Sequence, residues 1–197
     1  MLQPQDIGLL NYLLWQGILK PTNKYDRNDI MSQCCMGEQH IQESLERLFA
    51  GHLVSRVTGH VHVASAKDVF LAIPSIYPGQ VTQETTSGLA TAGDAPKIKN
   101  ELRLIDGTPL VWQYNLLPEA PQRVVGIAVE PLFQQAPTTA RRNEHLYFML
   151  AVIDCLRYGK AREKEYGVGA INRVLEQYTR ITSQTDLETD LLCGLCV

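Results

Sequence analysis

The chain has 197 residues, of which 45% are apolar and 20% charged, so it can bury one sizeable core or two small ones and is unlike a globally disordered chain. Its formal net charge of −3 excludes a uniformly basic nucleic-acid protein, and it has no apolar run long enough for a membrane span. The N-terminus MLQPQD lacks the charged and apolar regions of a signal peptide, so a cytoplasmic location is expected.

A first helix is expected from about Gln5 to Gln16, introduced by Pro4 and Asp6, with Ile7, Leu10 and Leu14 at i, i+3 and i+7. Gly17 and Pro21 should end it. Asp26 can cap a short second helix, RNDIMSQCC, closed by Met36 and Gly37. The third helix should run from Glu38 to about Ala50. Its Ile41, Leu45, Leu48 and Phe49 fall on one side, and Gly51 is a C-cap signal. LVSRV and VHVAS, around Thr58 and Gly59, then read as two short strands with alternating apolar residues.

Three helices followed closely by a hairpin resemble a winged helix-turn-helix, here over residues 1–65. The resemblance implies that the third helix enters the DNA major groove. With its apolar face centred near Leu45, that helix should turn Gln39, His40, Glu43, Glu46 and Arg47 outward. Arginine reads guanine, glutamine reads adenine and glutamate can accept from cytosine. Gln39, Glu43 and Arg47 are therefore candidate base contacts, with His40 beside them and Arg56 on the wing. The glutamates would face phosphates that repel them, so the same face also suits a basic protein surface. His60 and His62 should share one face of the second wing strand. With His40 and His52 they would make this domain more cationic as pH falls through about 6.5.

The second region, residues 66–197, is expected to hold a small sheet within 101–130 and helices within 139–180. AKDVFLAIP reads as a helix stopped by its proline, and residues 75–100 as loop with one short helix at most. ELRLI and PLVWQY, around Asp106 and Gly107, read as a hairpin, and RVVGIAVE as a third strand. NEHLYFMLAVIDCLRYG is apolar nearly all round, the mark of a central helix, and Gly159 should break it. Asp154 inside it should form a salt bridge or cap backbone. AINRVLEQYTR places Ile171, Val174, Leu175 and Tyr178 on one face of a last helix. The expected class is α+β: a winged helix-turn-helix, then a small sheet and C-terminal helices.

Charge is unevenly spread: residues 1–65 carry five basic and six acidic groups, residues 141–180 eight and five. Within the latter, RYGKAREKEYG holds Arg157, Lys160, Arg162 and Lys164 among tyrosines, a candidate secondary basic surface to which Arg141 and Arg142 could add. Glu163 and Glu165 interleave, as in a solvated helix with i,i+4 pairs. The five cysteines are Cys34, Cys35, Cys155, Cys193 and Cys196. Their odd number and spacing offer no disulfide framework, and the terminal CGLC lacks a second ligand pair, so no metal is expected. GLATAG is not followed by GK[ST], and neither G-x-S-x-G nor H-E-x-x-H occurs. A non-enzyme without a cofactor is expected.

The stretch PGQVTQETTSGLATAGDAPKIKNELRLIDGTP behind a winged helix resembles bacterial antitoxins of the abortive-infection type, over about residues 28–114. That resemblance implies a winged helix that represses its operon and a remainder that counters a nucleotidyltransferase toxin. The expectation is a winged-helix transcriptional regulator of double-stranded DNA, antitoxin-like, whose C-terminal region serves homodimerisation or sensing. The alternative is a winged-helix protein–protein module within a larger assembly, with no direct reading of DNA and the acidic third helix against a basic partner. No membrane partner is expected.

Overall fold

The computed structural model describes residues 1–20, 25–103, 107–114 and 122–194, without the side chains of Gln83 and residues 185–194. Cys196, the side chain of Cys193 and most of the expected turn at Asp106 lie outside that description. The chain is a mixed α+β protein. Helix α1, Pro4–Leu19, begins with proline in its first turn and a capping box in which the Gln3 amide donates to Asp6 Oδ2 at 2.7 Å. It runs past Gly17, a point of close approach where a Cβ would sit 2.3 Å from the Tyr178 ring. Helix α2, Arg27–Cys34, is capped by Asp26, which accepts from the Asn28 amide at 2.8 Å. Helix α3, Glu38–Ala50, buries Ile41, Leu45 and Leu48 and ends at Gly51, as its periodicity predicts.

The expected two-stranded wing is reduced to one antiparallel bridge, Val54 to Val61. The Ser55 amide donates to His60 O at 2.8 Å and the His62 amide to Leu53 O at 2.9 Å, closing a tight turn. VHVAS does not continue as strand; from Val63 the chain is helix α4, Val63–Ile76. Ala66, Phe70 and Ile73 are all buried at helical spacing, and that period overrides the short alternation before it. Pro74 sits inside the last turn rather than before it, and the Tyr77 amide still bonds Ile73 O at 2.7 Å.

Strand β1, Val81–Ala90, occupies a stretch expected to be loop. A 3-10 turn, Ala92–Asp94, leads to helix α5, Pro96–Leu102, which takes up Glu101 and Leu102, the start of the expected first arm ELRLI. Strands β2, Leu110–Gln113, and β3, Arg123–Val129, fall where PLVWQY and RVVGIAVE predicted them. β1 pairs antiparallel with both, while β2 and β3 pair in parallel, so the three strands close on themselves. Closure needs glycine at two crossings. A Cβ on Gly88 would lie 1.8 Å from Trp112 O, and one on Gly126 would lie 2.1 Å from Pro109 O.

Helices α6, Ala136–Arg142, α7, Glu144–Tyr158, and α8, Ala161–Gly194, complete the chain. α7 is the central helix its composition predicted, and α8 runs unbroken through Gly167 and Gly169. One hydrophobic cluster joins Ile7 of α1 to Tyr178 of α8, with α1 packed on α3, α7 and α8, and α4 on α7 and α8. Asp154 lies in it with no exposure. Thr91 Oγ1 and Trp112 Nε1 donate to its Oδ2 at 2.9 and 2.7 Å, and Arg157 to its Oδ1 at 2.8 Å. Burial pushes the Asp154 carboxyl up from its ordinary range, while Arg157, Thr91 and Trp112 pull it down. Among the described residues no helix is long and apolar enough to cross a membrane.

Candidate functional site

Helix α3 lies at the surface with Glu38, Gln39, His40, Gln42, Glu43 and Glu46 exposed, the acidic face its sequence foretold. Arg47 departs from that expectation. Its guanidinium turns to α1 and grips Asp6 in a two-pronged pair, Nε to Oδ2 at 2.8 Å and Nη2 to Oδ1 at 2.9 Å. Nη2 also reaches Ser44 Oγ at 3.2 Å, and Asp6 has no exposure at all. The hydrogen bond to Asp6 raises the guanidinium's pKa still further. A base contact by Arg47 would first have to break this pair and leave the Asp6 carboxylate buried.

The other cations around α3 are paired as well. Arg56, beyond the turn, forms an ion pair with Glu46 and lies over the Phe49 ring, 4.7 Å from its centroid. The same hydrogen bond holds the Glu46 carboxyl below its ordinary range. Arg27, which opens α2, lies 3.7 Å from Glu38 and donates to Gln42 at 3.3 Å. Gln39 donates to Glu43 at 3.0 Å, one helical turn on. Gln39, Glu43, Arg47 and Arg56 are thus brought to one side of the molecule, but tied to one another or to α1.

The histidines do not form the strand face expected of them. His60 belongs to the turn, and His62 is the exposed residue that precedes α4. His40 stands exposed at the start of α3, and His52 takes a positive φ of 53° just beyond its end. Among the described residues no three histidine, cysteine or carboxylate side chains gather around a common metal position.

The secondary basic surface is smaller than its sequence suggested. Arg157 is an interior residue, its side chain only 3% exposed. It pairs with Asp154 and donates to the carbonyls of Tyr77 at 3.1 Å and Glu130 at 3.2 Å. Lys160, Arg162 and Lys164 are exposed. Glu163 turns away from them to accept from the backbone amides of Lys160 at 2.9 Å and Gly93 at 3.2 Å. Arg142 donates to Ser32 O at 2.7 Å, and Arg141 lies over the Tyr114 ring. Sequence reasoning missed the partners: Asp6 read as a helix-start residue, and nothing near it in the chain announces an arginine of another helix. The chain matches no protein-family model, and no curated protein or solved structure matches it.

Proposed function

We propose that this chain is a winged-helix-type protein-interaction module, in which the carboxylate-rich face of α3 docks a basic surface of a protein partner. The order of three helices and a tight turn bridged at Val54 and Val61 supports the winged-helix-type head. The observation that carries the choice of partner is charge pairing: Arg27, Arg47 and Arg56 are each held by a carboxylate, so α3 has no surplus of positive charge. Duplex DNA is held chiefly by unpaired lysine and arginine on its phosphates. An acidic face with satisfied cations complements a basic protein instead.

A second reading, a DNA-binding regulator of the antitoxin type, draws on the exposure of Gln39 and His40 at the start of α3. Two assays on the full chain separate them. A nuclease-treated lysate passed over the immobilised protein should yield a basic protein that a Glu43→Lys/Glu46→Lys variant no longer holds. Duplex DNA from the chain's own promoter should not shift at low salt. A saturable shift that Arg47→Ala abolishes without unfolding the protein would overturn the docking reading in favour of DNA.

A further inference from the structure

A cavity of about 400 Å³ opens between α5 and the first turns of α7, on elements that take no part in the α3 face. That volume suits a small molecule. Its apolar wall is built from Pro96, Tyr147 and Phe148, with Ile98 fully buried behind them. The Tyr147 hydroxyl is already satisfied, donating to Ala90 O at 2.6 Å, so only its ring is offered to an occupant. Two charges of opposite sign line the same cavity, Lys97 and Glu144. The Lys97 ammonium rides over the Phe148 ring, 4.4 Å from its centroid, which positions the cation while leaving it free to donate. Neither Lys97 nor Glu144 forms an ion pair, with the other or with any other described residue.

We propose that this cavity binds a free amino acid with an apolar side chain, its carboxylate on Lys97, its ammonium on Glu144 and its side chain against Phe148 and Pro96. A simple anion would meet the Glu144 carboxylate, and a simple cation the Lys97 ammonium. A neutral apolar molecule would engage neither charge. A small zwitterion with an apolar body answers both charges and the apolar wall together. The cavity also has a reporter behind it: His145, another lining residue, stacks on Trp15 with ring centroids 4.4 Å apart.

The test uses three probes on the full chain: phenylalanine, 3-phenylpropionate, which lacks the ammonium, and phenethylamine, which lacks the carboxylate. Calorimetry and tryptophan fluorescence should show saturable binding of phenylalanine, with each of the other two weaker by about three- to fivefold, the contribution of one exposed ion pair. Lys97→Gln should remove the advantage of phenylalanine over phenethylamine. Glu144→Gln should remove its advantage over 3-phenylpropionate. Both residues are exposed, so these variants keep the fold. Absence of saturable binding by phenylalanine, or equal binding of all three probes by the unaltered chain, would overturn the proposal.

Discussion

Asp6 and Arg47 illustrate how a single residue's role depends on what reaches it. Asp6 at the start of α1 accepts from its own helix's Gln3 amide and from the Arg47 guanidinium of α3, and no solvent reaches it. Removing one partner of such a pair strands the other in a medium that solvates it poorly. Because the Arg47 side chain is 25% exposed, the full penalty of a buried pair does not apply. Arg47→Ala should therefore cost about 2–4 kcal/mol, read as a lower midpoint in urea, and Asp6→Asn in the same chain should recover part of it. Tyrosines give a second residue-scale prediction. Burial raises the phenol pKa of Tyr12, Tyr147 and Tyr166, and pushes that of Tyr158 up to about 12. A group whose folded pKa exceeds its unfolded value stabilises the fold below the unfolded pKa and loses that contribution as pH rises through the folded one. Stability should therefore fall as pH climbs above about 10, the ordinary tyrosine value. Phenolate absorbance should rise in two parts. Tyr114, lowered by hydrogen bonds from Thr138 and Arg141, belongs to the early part, and the buried tyrosines ionise together with the loss of circular dichroism. Early, gradual ionisation of every tyrosine in the folded chain would contradict this assignment.

At the scale of elements, the small closed sheet is the most demanding feature. Gly88 pairs with Gln113 on one side and Val124 on the other, and a Cβ there would lie 1.8 Å from Trp112 O. Gly88→Ala and Gly126→Ala should each destabilise by about 3 kcal/mol or more, because the atoms they would strike belong to the backbone. Gly107, beside which a Cβ would meet nothing within 4 Å, is the control, and Gly107→Ala should stay within about 0.5 kcal/mol. Urea midpoints of the three variants check the ranking, and equal effects at Gly88 and Gly107 would sink it. The elements also show which patterns read true. α2 and α3 carry their own cap signals, Asp26 and Gly51, and their predicted limits fall within a residue or two of the observed ones. The second wing strand failed because VHV alternates over three residues only, while Ala66, Phe70 and Ile73 hold a helical period over a longer stretch. β1 was read as loop because its Thr82, Thr85 and Thr86, though suited to a strand, are polar.

For the molecule as a whole, the hydrophobic cluster leaves no apolar break between the N-terminal helices α1–α3 and the later helices. Tyr178 of α8 packs at Gly17 of α1, and its hydroxyl accepts from the Val61 amide of the turn at 2.8 Å. Denaturation of the full chain should consequently be a single transition, with near- and far-ultraviolet circular dichroism coincident. A fragment of residues 1–65 should remain unfolded, since α1 would expose the side that α7 and α8 cover. A folded fragment with cooperative unfolding would show that residues 1–65 are a domain in their own right.

By itself the sequence determined the α+β class, the course of α2, α3 and α7, two of the three strands and the acidity of the α3 face. These depend on period, capping and charge, which are local and survive without knowledge of the rest of the chain. Tertiary structure decided what the charged residues do. Arg47 and Arg157 look like exposed cations in a linear reading, yet one closes over Asp6 and the other over Asp154. Asp6 lies 41 residues from its partner, a separation that no periodicity encodes. The cavity at Lys97 and Glu144 is of the same kind, since two elements distant in the chain supply its opposite charges. A buried charge is stable only beside its counter-charge, so an ion's function follows from the packing that brings the two together.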